Sequence, residues 1–275
     1  CMIIGALLLT SQDAISKWLT TDYHAGEILF YRGFFSFIPI AVLVAHAGSW
    51  RILGTRSFKS TMLRAFLGTA TSIFVVLSFI HLPLATALAI IFLSPIMLTA
   101  LSVPMLGERV GWRRWLAVFV GFAGVLLIVR PTGDGVLIYY IIPLITALLS
   151  TFRDIATRHM RGGDSSVSIL FYSMLVAIGA GAVSLPIFGT HWPSPSDWIL
   201  FATAGTMIGL SHLLTIQALL YAPGGAVAPF KYLSLVYAAG IGYLVWGDVP
   251  DGWMIAGAAL VVGAGLFILH REMRR

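Results

Sequence analysis

From one end of this chain to the other, stretches of about 20 apolar residues follow one another with only short polar connections between them. A helix that crosses the hydrocarbon core of a bilayer needs roughly 20 such residues. The stretches fall near residues 2–20, 26–47, 62–80, 84–105, 113–130, 136–157, 166–187, 197–219, 224–246 and 252–270. They use up the sequence and leave no room for a water-soluble domain. A membrane β-barrel would show alternating strands of about ten residues, and no such pattern is present. Composition agrees: 59% of residues are apolar and 10% are charged, against roughly 25% charged in a soluble domain. The sequence therefore predicts an all-α integral membrane protein of about ten transmembrane helices, with very tight turns after His81 and Tyr221.

The formal charge of +6 is placed in a way that argues against a nucleic-acid partner. Arg51, Arg56, Lys59 and Arg64 surround the connection between the second and third spans. Arg109, Arg113 and Arg114 follow the fourth, Arg153, Arg158 and Arg161 end the sixth, and Arg271, Arg274 and Arg275 close the chain. These connections fall on one side of a ten-span topology and hold 13 of the 17 basic residues. The positive-inside rule predicts cytoplasmic termini, with anionic headgroups as the partners of these cations. The single cysteine, Cys1, excludes an internal disulfide. The first apolar run lacks a cleavage site and is read as a span, preceded by a short cytoplasmic tail.

The chain also resembles itself. An offset of 141 pairs Ile28-Leu29-Phe30-Tyr31 with Ile169-Leu170-Phe171-Tyr172, Thr10 with Thr151, Asp13 with Asp154 and Lys17 with Arg158. Later an offset of 140 pairs Pro83 with Pro223, Phe92 with Tyr232, Ser94 with Ser234 and Glu108 with Asp248. A shared offset points to duplication, with units at 1–131 and 132–275. Each unit holds five spans, an odd number, so the second enters the membrane inverted. Inverted repeats place a solute site at their interface and permit alternating access.

Two five-span halves, Pro95 early in the fourth span and the Gly107-Glu108-Arg109-Val110-Gly111-Trp112 turn after it resemble the drug/metabolite transporter superfamily. Within it the chain is similar to the EamA-type exporters of bacteria, among them the aromatic amino-acid exporters. The resemblance covers the whole chain and implies an inner-membrane transporter of small metabolites. It also implies a cavity among the third, fourth, eighth and ninth spans, with the first and sixth moving as gates.

Ionisable residues inside spans cost roughly 2.5–3.5 kcal/mol each, which makes each a functional candidate. Asp13 and Asp154 each precede a basic residue by four positions, Lys17 and Arg158, on one helical face. They read either as helix-end ion pairs or as symmetry-related carboxylates that gate, bind an amine or take up a proton. Lys231, after Pro229 in the ninth span, reads as a receptor for a solute carboxylate or as a side chain that snorkels to the interface. Arg32 faces the same choice, as an anchor or a gate. His212 lies deep in the eighth span, either as a proton-coupling group or as a histidine bonded to Ser211 or a nearby carbonyl. His81 is a candidate outer gate, and Pro95 and Pro229 mark broken spans. Gln217, Ser94 and Ser234 complete the candidate cavity. Phe79, Phe92 and Tyr232 supply aromatic walls for an amphipathic solute. Gly121, Gly124, Gly257, Gly263 and Gly265 mark small helix faces, for packing within the chain or in a homodimer.

No phosphate-binding glycine loop, metal-ligand spacing or nucleophile motif appears, so neither cofactor nor metal is implied and the chain does not read as an enzyme. The expected function is secondary or facilitated export of amino acids or similar metabolites. A multidrug or nucleotide-sugar carrier is the alternative, and a membrane enzyme or receptor a more distant one. A nucleotide-sugar cavity would need more basic residues than Lys231 and Arg32.

Overall fold

Lipid offers backbone amides no hydrogen-bond partners, so a spanning segment must satisfy them internally. The computed structural model describes residues 2–106, 111–129, 137–159, 165–221 and 232–273, and every element among the described residues is helical. The first part of the chain forms α1 (Met2–Leu19), α2 (Ala25–Phe35), α3 (Phe37–Ala47), α4 (Phe58–His81), α5 (Leu84–Ile91), α6 (Ser94–Leu106) and α7 (Trp112–Val129). The second forms α8 (Leu137–His159), α9 (Ser166–Phe188), α10 (Pro195–Tyr221), α11 (Leu233–Trp246) and α12 (Gly252–Met273). A short 3-10 turn, Trp50–Leu53, precedes α4.

Among the described residues, seven helical stretches are long and apolar enough to cross a membrane: Ala25–His46, Phe58–His81, Leu84–Leu101, Ile138–Thr157, Ser166–Phe188, Pro195–Leu214 and Gly252–Arg271. Trp115–Val129 and Leu233–Trp246 are shorter apolar helices. The 18-residue α1 carries Gln12, Asp13 and Lys17, which dilute its apolar character.

Two of these stretches are broken, and proline explains both. Pro39 has no N–H to offer the Phe35 carbonyl, and the chain turns at Ser36, whose hydroxyl donates to Gly33 O at 2.6 Å. Pro95 likewise cannot bond Ile91. The break before it is closed by a tighter turn, Leu93 N to Ile90 O at 2.9 Å. The predicted turn after His81 is Leu82-Pro83. Leu82 is extended, as a residue before proline prefers, and its carbonyl accepts a hydrogen bond from Lys17 Nζ at 2.8 Å.

The helices pair in a regular scheme. α1 lies along α10 and α4 along α8, while α2 meets α9 and α7 meets α12. Both of the last two pairs are antiparallel: Gly26 faces Ser184 where Gly33 faces Ile178, and Gly121 faces Ala264 where Gly257 faces Ile128. Gly124 crosses Gly257 at backbone contact. A Cβ on either would lie 2.7 or 2.5 Å from the other's carbonyl oxygen, so only glycine fits. A Cβ on Gly265 would meet the Tyr232 hydroxyl, whereas Gly263 has open space around it. The larger apolar core joins α5 and α6 to α7, α11 and α12 through Leu93, Ile96, Val118, Val125 and Val261. An aromatic core of Tyr23, Tyr31 and Phe201, with Trp198 against it, fills the end of the bundle near the α1–α2 connection.

Candidate functional site

Two polar clusters lie between the helices. In the first, α1 and α2 bring Gln12, Asp13, Ser16 and Arg32 together. Asp13 and Arg32 are only 8% and 7% exposed. Arg32 Nη1 donates to Gln12 Oε1 at 2.7 Å and to Ser16 Oγ at 3.0 Å, and Gln12 Nε2 donates in turn to Asp13 Oδ1. The Asp13 carboxylate is within electrostatic reach of the guanidinium. Arg32 holds this depth because Gly205 of α10 lets the Arg32 backbone come into contact.

The second cluster joins α4, α8 and α9. Arg153 donates from Nε and Nη2 to Asp154 Oδ1 at 3.1 and 3.0 Å, and from Nη2 to Ser150 Oγ at 3.0 Å. Arg64 donates to Thr157 Oγ1 at 2.8 Å and to Ser173 Oγ at 3.2 Å. Its neighbour one turn on, Gly68, leaves room for the Arg153 side chain, whose Cδ lies 3.7 Å from where a Cβ would stand. The offset of 141 equates Gln12, Asp13, Ser16 and Arg32 with Arg153, Asp154, Thr157 and Ser173.

A pair of helix-to-helix bonds follows the same arithmetic. Thr10 Oγ1 on α1 donates to Ala6 O at 2.9 Å and to Ser234 O on α11 at 3.4 Å. Thr151 Oγ1 on α8 donates to Ala147 O at 2.8 Å and to Ser94 O on α6 at 3.1 Å. Ser94 and Ser234 thus take part through their carbonyls.

Loop clamps brace the two ends of α9, against the start of α2 at one end and against the turn after α3 at the other. His24 caps α2, its Nδ1 accepting from the Gly26 and Glu27 amides, and its Nε2 meets Gly189 O at 3.1 Å. Glu27, fully buried, accepts from His24 N at 3.1 Å and from His191 N at 2.5 Å. Tyr31 donates to His191 O at 3.1 Å and Tyr23 to Asp197 Oδ2 at 2.8 Å. Burial and the Asp197 carboxylate push the Tyr23 phenol up to about 12, which keeps it a donor. At the other end Ser165 caps α9 and donates to Ile52 O at 2.7 Å, while Ser168 donates to Leu53 O at 3.2 Å.

The remaining predicted residues fall as follows. The ion pair of Asp13 with Lys17, one of the two arrangements the spacing allows, does not form: Lys17 turns to Leu82 O and to Asp248 Oδ2, 3.9 Å away. Asp154 is engaged by Arg153, and the Arg158 side chain lies outside the described residues, as do Lys231, Pro229 and the side chain of Gln217. His212 donates from Nδ1 to Ile208 O at 2.8 Å, one of the two arrangements expected of it. It is within electrostatic reach of Arg153, Arg64 and Arg32. The rings of Phe92 and Tyr232 meet in a tilted pair with centroids 5.3 Å apart, and Phe79 is buried in the core. His81 stacks on Tyr139 at 4.2 Å. Pro95 is the second residue of α6.

Arg64, Ser16, Glu27 and His24 were not singled out from the sequence. Arg64 and Arg153 read as cytoplasmic-side charges because they sit near span ends. The signal for Glu27 is a carboxylate beside an apolar run, three residues after a capping position. Among the described residues, no three His, Cys, Asp or Glu side chains form a group that could hold a metal.

The EamA-like transporter family model matches residues 1–130 and 137–270. The S-adenosylmethionine uptake transporter of Rickettsia bellii is 30% identical over 99% of this chain and 93% of its own. The pseudopaline exporter of Pseudomonas aeruginosa is 26% identical over 95% and 92%. The riboflavin transporter of Rhizobium johnstonii is 26% identical over 100% and 91%. One crystal structure, 18% identical, superposes with a TM-score of 0.67 over 100% of this chain and 98% of that one, which marks a shared fold. On the matches to its family model and to these carriers, the chain belongs to the EamA-like transporter family.

Proposed function

We propose that this protein is a bacterial inner-membrane transporter of amino acids or closely related metabolites, built from two inverted five-span halves that work by alternating access. The observation that carries the reading is the pair of bonds Thr10 to Ser234 O and Thr151 to Ser94 O. Each joins a first-position helix of one half to a fourth-position helix of the other, at positions the sequence offsets had already equated. The antiparallel contacts of α2 with α9 and of α7 with α12 support it too, since a two-fold axis in the membrane plane brings equivalent helices together in opposite directions. The two stretches matched by the family model correspond to the same halves.

The relatives named for uptake and for export suggest that direction follows the available gradient. S-adenosylmethionine, an amphipathic solute with an α-amino acid group, and L-phenylalanine are the first compounds to test. Saturable movement of either label into proteoliposomes, abolished by excess unlabelled compound, is expected; no movement of either would reject this solute class. Topology is tested separately. Cysteines replacing the exposed Trp50 and Trp192, in a chain with Cys1 replaced, should react with an impermeant maleimide from opposite sides of the membrane. Labelling from one side would reject the inverted arrangement.

A further inference from the structure

The two arginine clusters are not equal in charge. In the first, one guanidinium, Arg32, faces one carboxylate, Asp13. In the second, two guanidiniums, Arg64 and Arg153, share a single carboxylate, Asp154. Arg153 takes Asp154 directly. Arg64 has only the hydroxyls of Thr157 and Ser173, and both of those donate their own protons to backbone carbonyls one turn back, Arg153 O and Ile169 O. Neutral acceptors hold the guanidinium in place, and its charge is offset only by the Asp154 carboxylate that Arg153 already holds. Among the described residues, no carboxylate reaches ion-pair distance of Arg64.

A part-buried, unmatched cation between spans is costly, and a fixed guanidinium beside a second one is suited to a bidentate carboxylate. The corresponding place in the other half offers no such group: Arg64 corresponds to Ala204 or Gly205. Arg64 is tied to α8 and α9, and His212 of α10 lies within electrostatic reach of it.

We propose that Arg64, supported by Arg153, is the receptor for the carboxylate of the transported solute, which makes carboxylate-bearing amphipathic metabolites its substrate class. This rests on the transport reading above and assigns that reading its polar contact. The solute's negative charge would complete the second cluster as Asp13 completes the first.

Equilibrium binding to the purified protein in phosphatidylcholine nanodiscs tests it with two matched pairs: S-adenosylmethionine against its decarboxylated form, and L-phenylalanine against phenethylamine. The unaltered protein should prefer a carboxylate-bearing member by roughly 10- to 100-fold, the usual effect of a hydrogen bond to a charged group. Arg64→Gln should weaken that member by a similar factor and leave its decarboxylated partner unchanged, which also shows that the variant folds; Arg64→Lys should fall between. Equal binding of both members by the unaltered protein, or equal loss of both in Arg64→Gln, would overturn the proposal and leave transport standing. A preference that disappears when phosphatidylglycerol is added would identify the anion at Arg64 as a lipid headgroup and overturn it as well. Binding of none of the four compounds would reject this solute class and the receptor role together.

Discussion

Arg32 and Asp13 show how an ionisable pair is tolerated deep between helices: each charge has the other nearby, and Gln12 and Ser16 hydrogen-bond the guanidinium while Gln12 also donates to the carboxylate. Removing one partner should cost more than removing both, because a lone buried charge is the expensive state. Asp13→Asn is expected to destabilise the purified protein by roughly 3 kcal/mol, and Asp13→Asn with Arg32→Gln by clearly less. Thermal unfolding of the single and double variants in one detergent checks this. Equal loss in both would mean that the pair contributes no mutual compensation. Asp13, Asp154 and Arg32 were legible in the sequence because a charge within an apolar run is conspicuous. The partner chosen by Lys17 was not, since it depends on the carbonyl that the extended Leu82 presents from another helix. Arg64 escaped notice because a cation near a span end looks like an interfacial anchor until Thr157 and Ser173 are seen around it.

At the level of the helices, the apolar runs gave their helical character and approximate ends, because length and hydropathy are local properties. They did not give the breaks within Ala25–His46 and Leu84–Leu101, although Pro39 and Pro95 are in plain view. A proline only licenses a break, and the turn that forms depends on what receives the freed carbonyl. The five glycines grouped together as small faces divide on structural grounds. Gly257→Ala should cost on the order of 1–3 kcal/mol, because its Cβ would press on the backbone of α7. Gly263→Ala, which meets open space, should change stability by no more than about 0.5 kcal/mol. Unfolding midpoints measured side by side decide it; equal effects would place the close crossing elsewhere.

Over the whole molecule, the clamps at the two ends of α9 use unlike chemistry: a buried carboxylate with histidines at one end, serine hydroxyls at the other. Glu27→Gln should loosen the first clamp by turning one acceptor into a donor that faces the His24 and His191 amides. A cysteine at Ser16 should then react with an impermeant maleimide roughly tenfold faster, while unchanged labelling would show that this clamp does not hold the end shut. None of this was apparent from the sequence, where Glu27 and His191 stand 164 residues apart. The offset of 141 equates His24 with Ser165, so the two clamps start from equated positions with unlike side chains.

The contact of Gly124 with Gly257 limits how such a bundle can move. Two backbones that touch without intervening side chains have nothing to slide over, so α7 and α12 behave as one rigid post. In the alternating-access reading proposed above, α7 and α12 move together, as does α2 with α9 and α10 at Gly181 and Gly205, and the displacement falls at the remaining helix contacts. The post is the fixed frame against which the polar clusters would open by turns to one compartment and to the other.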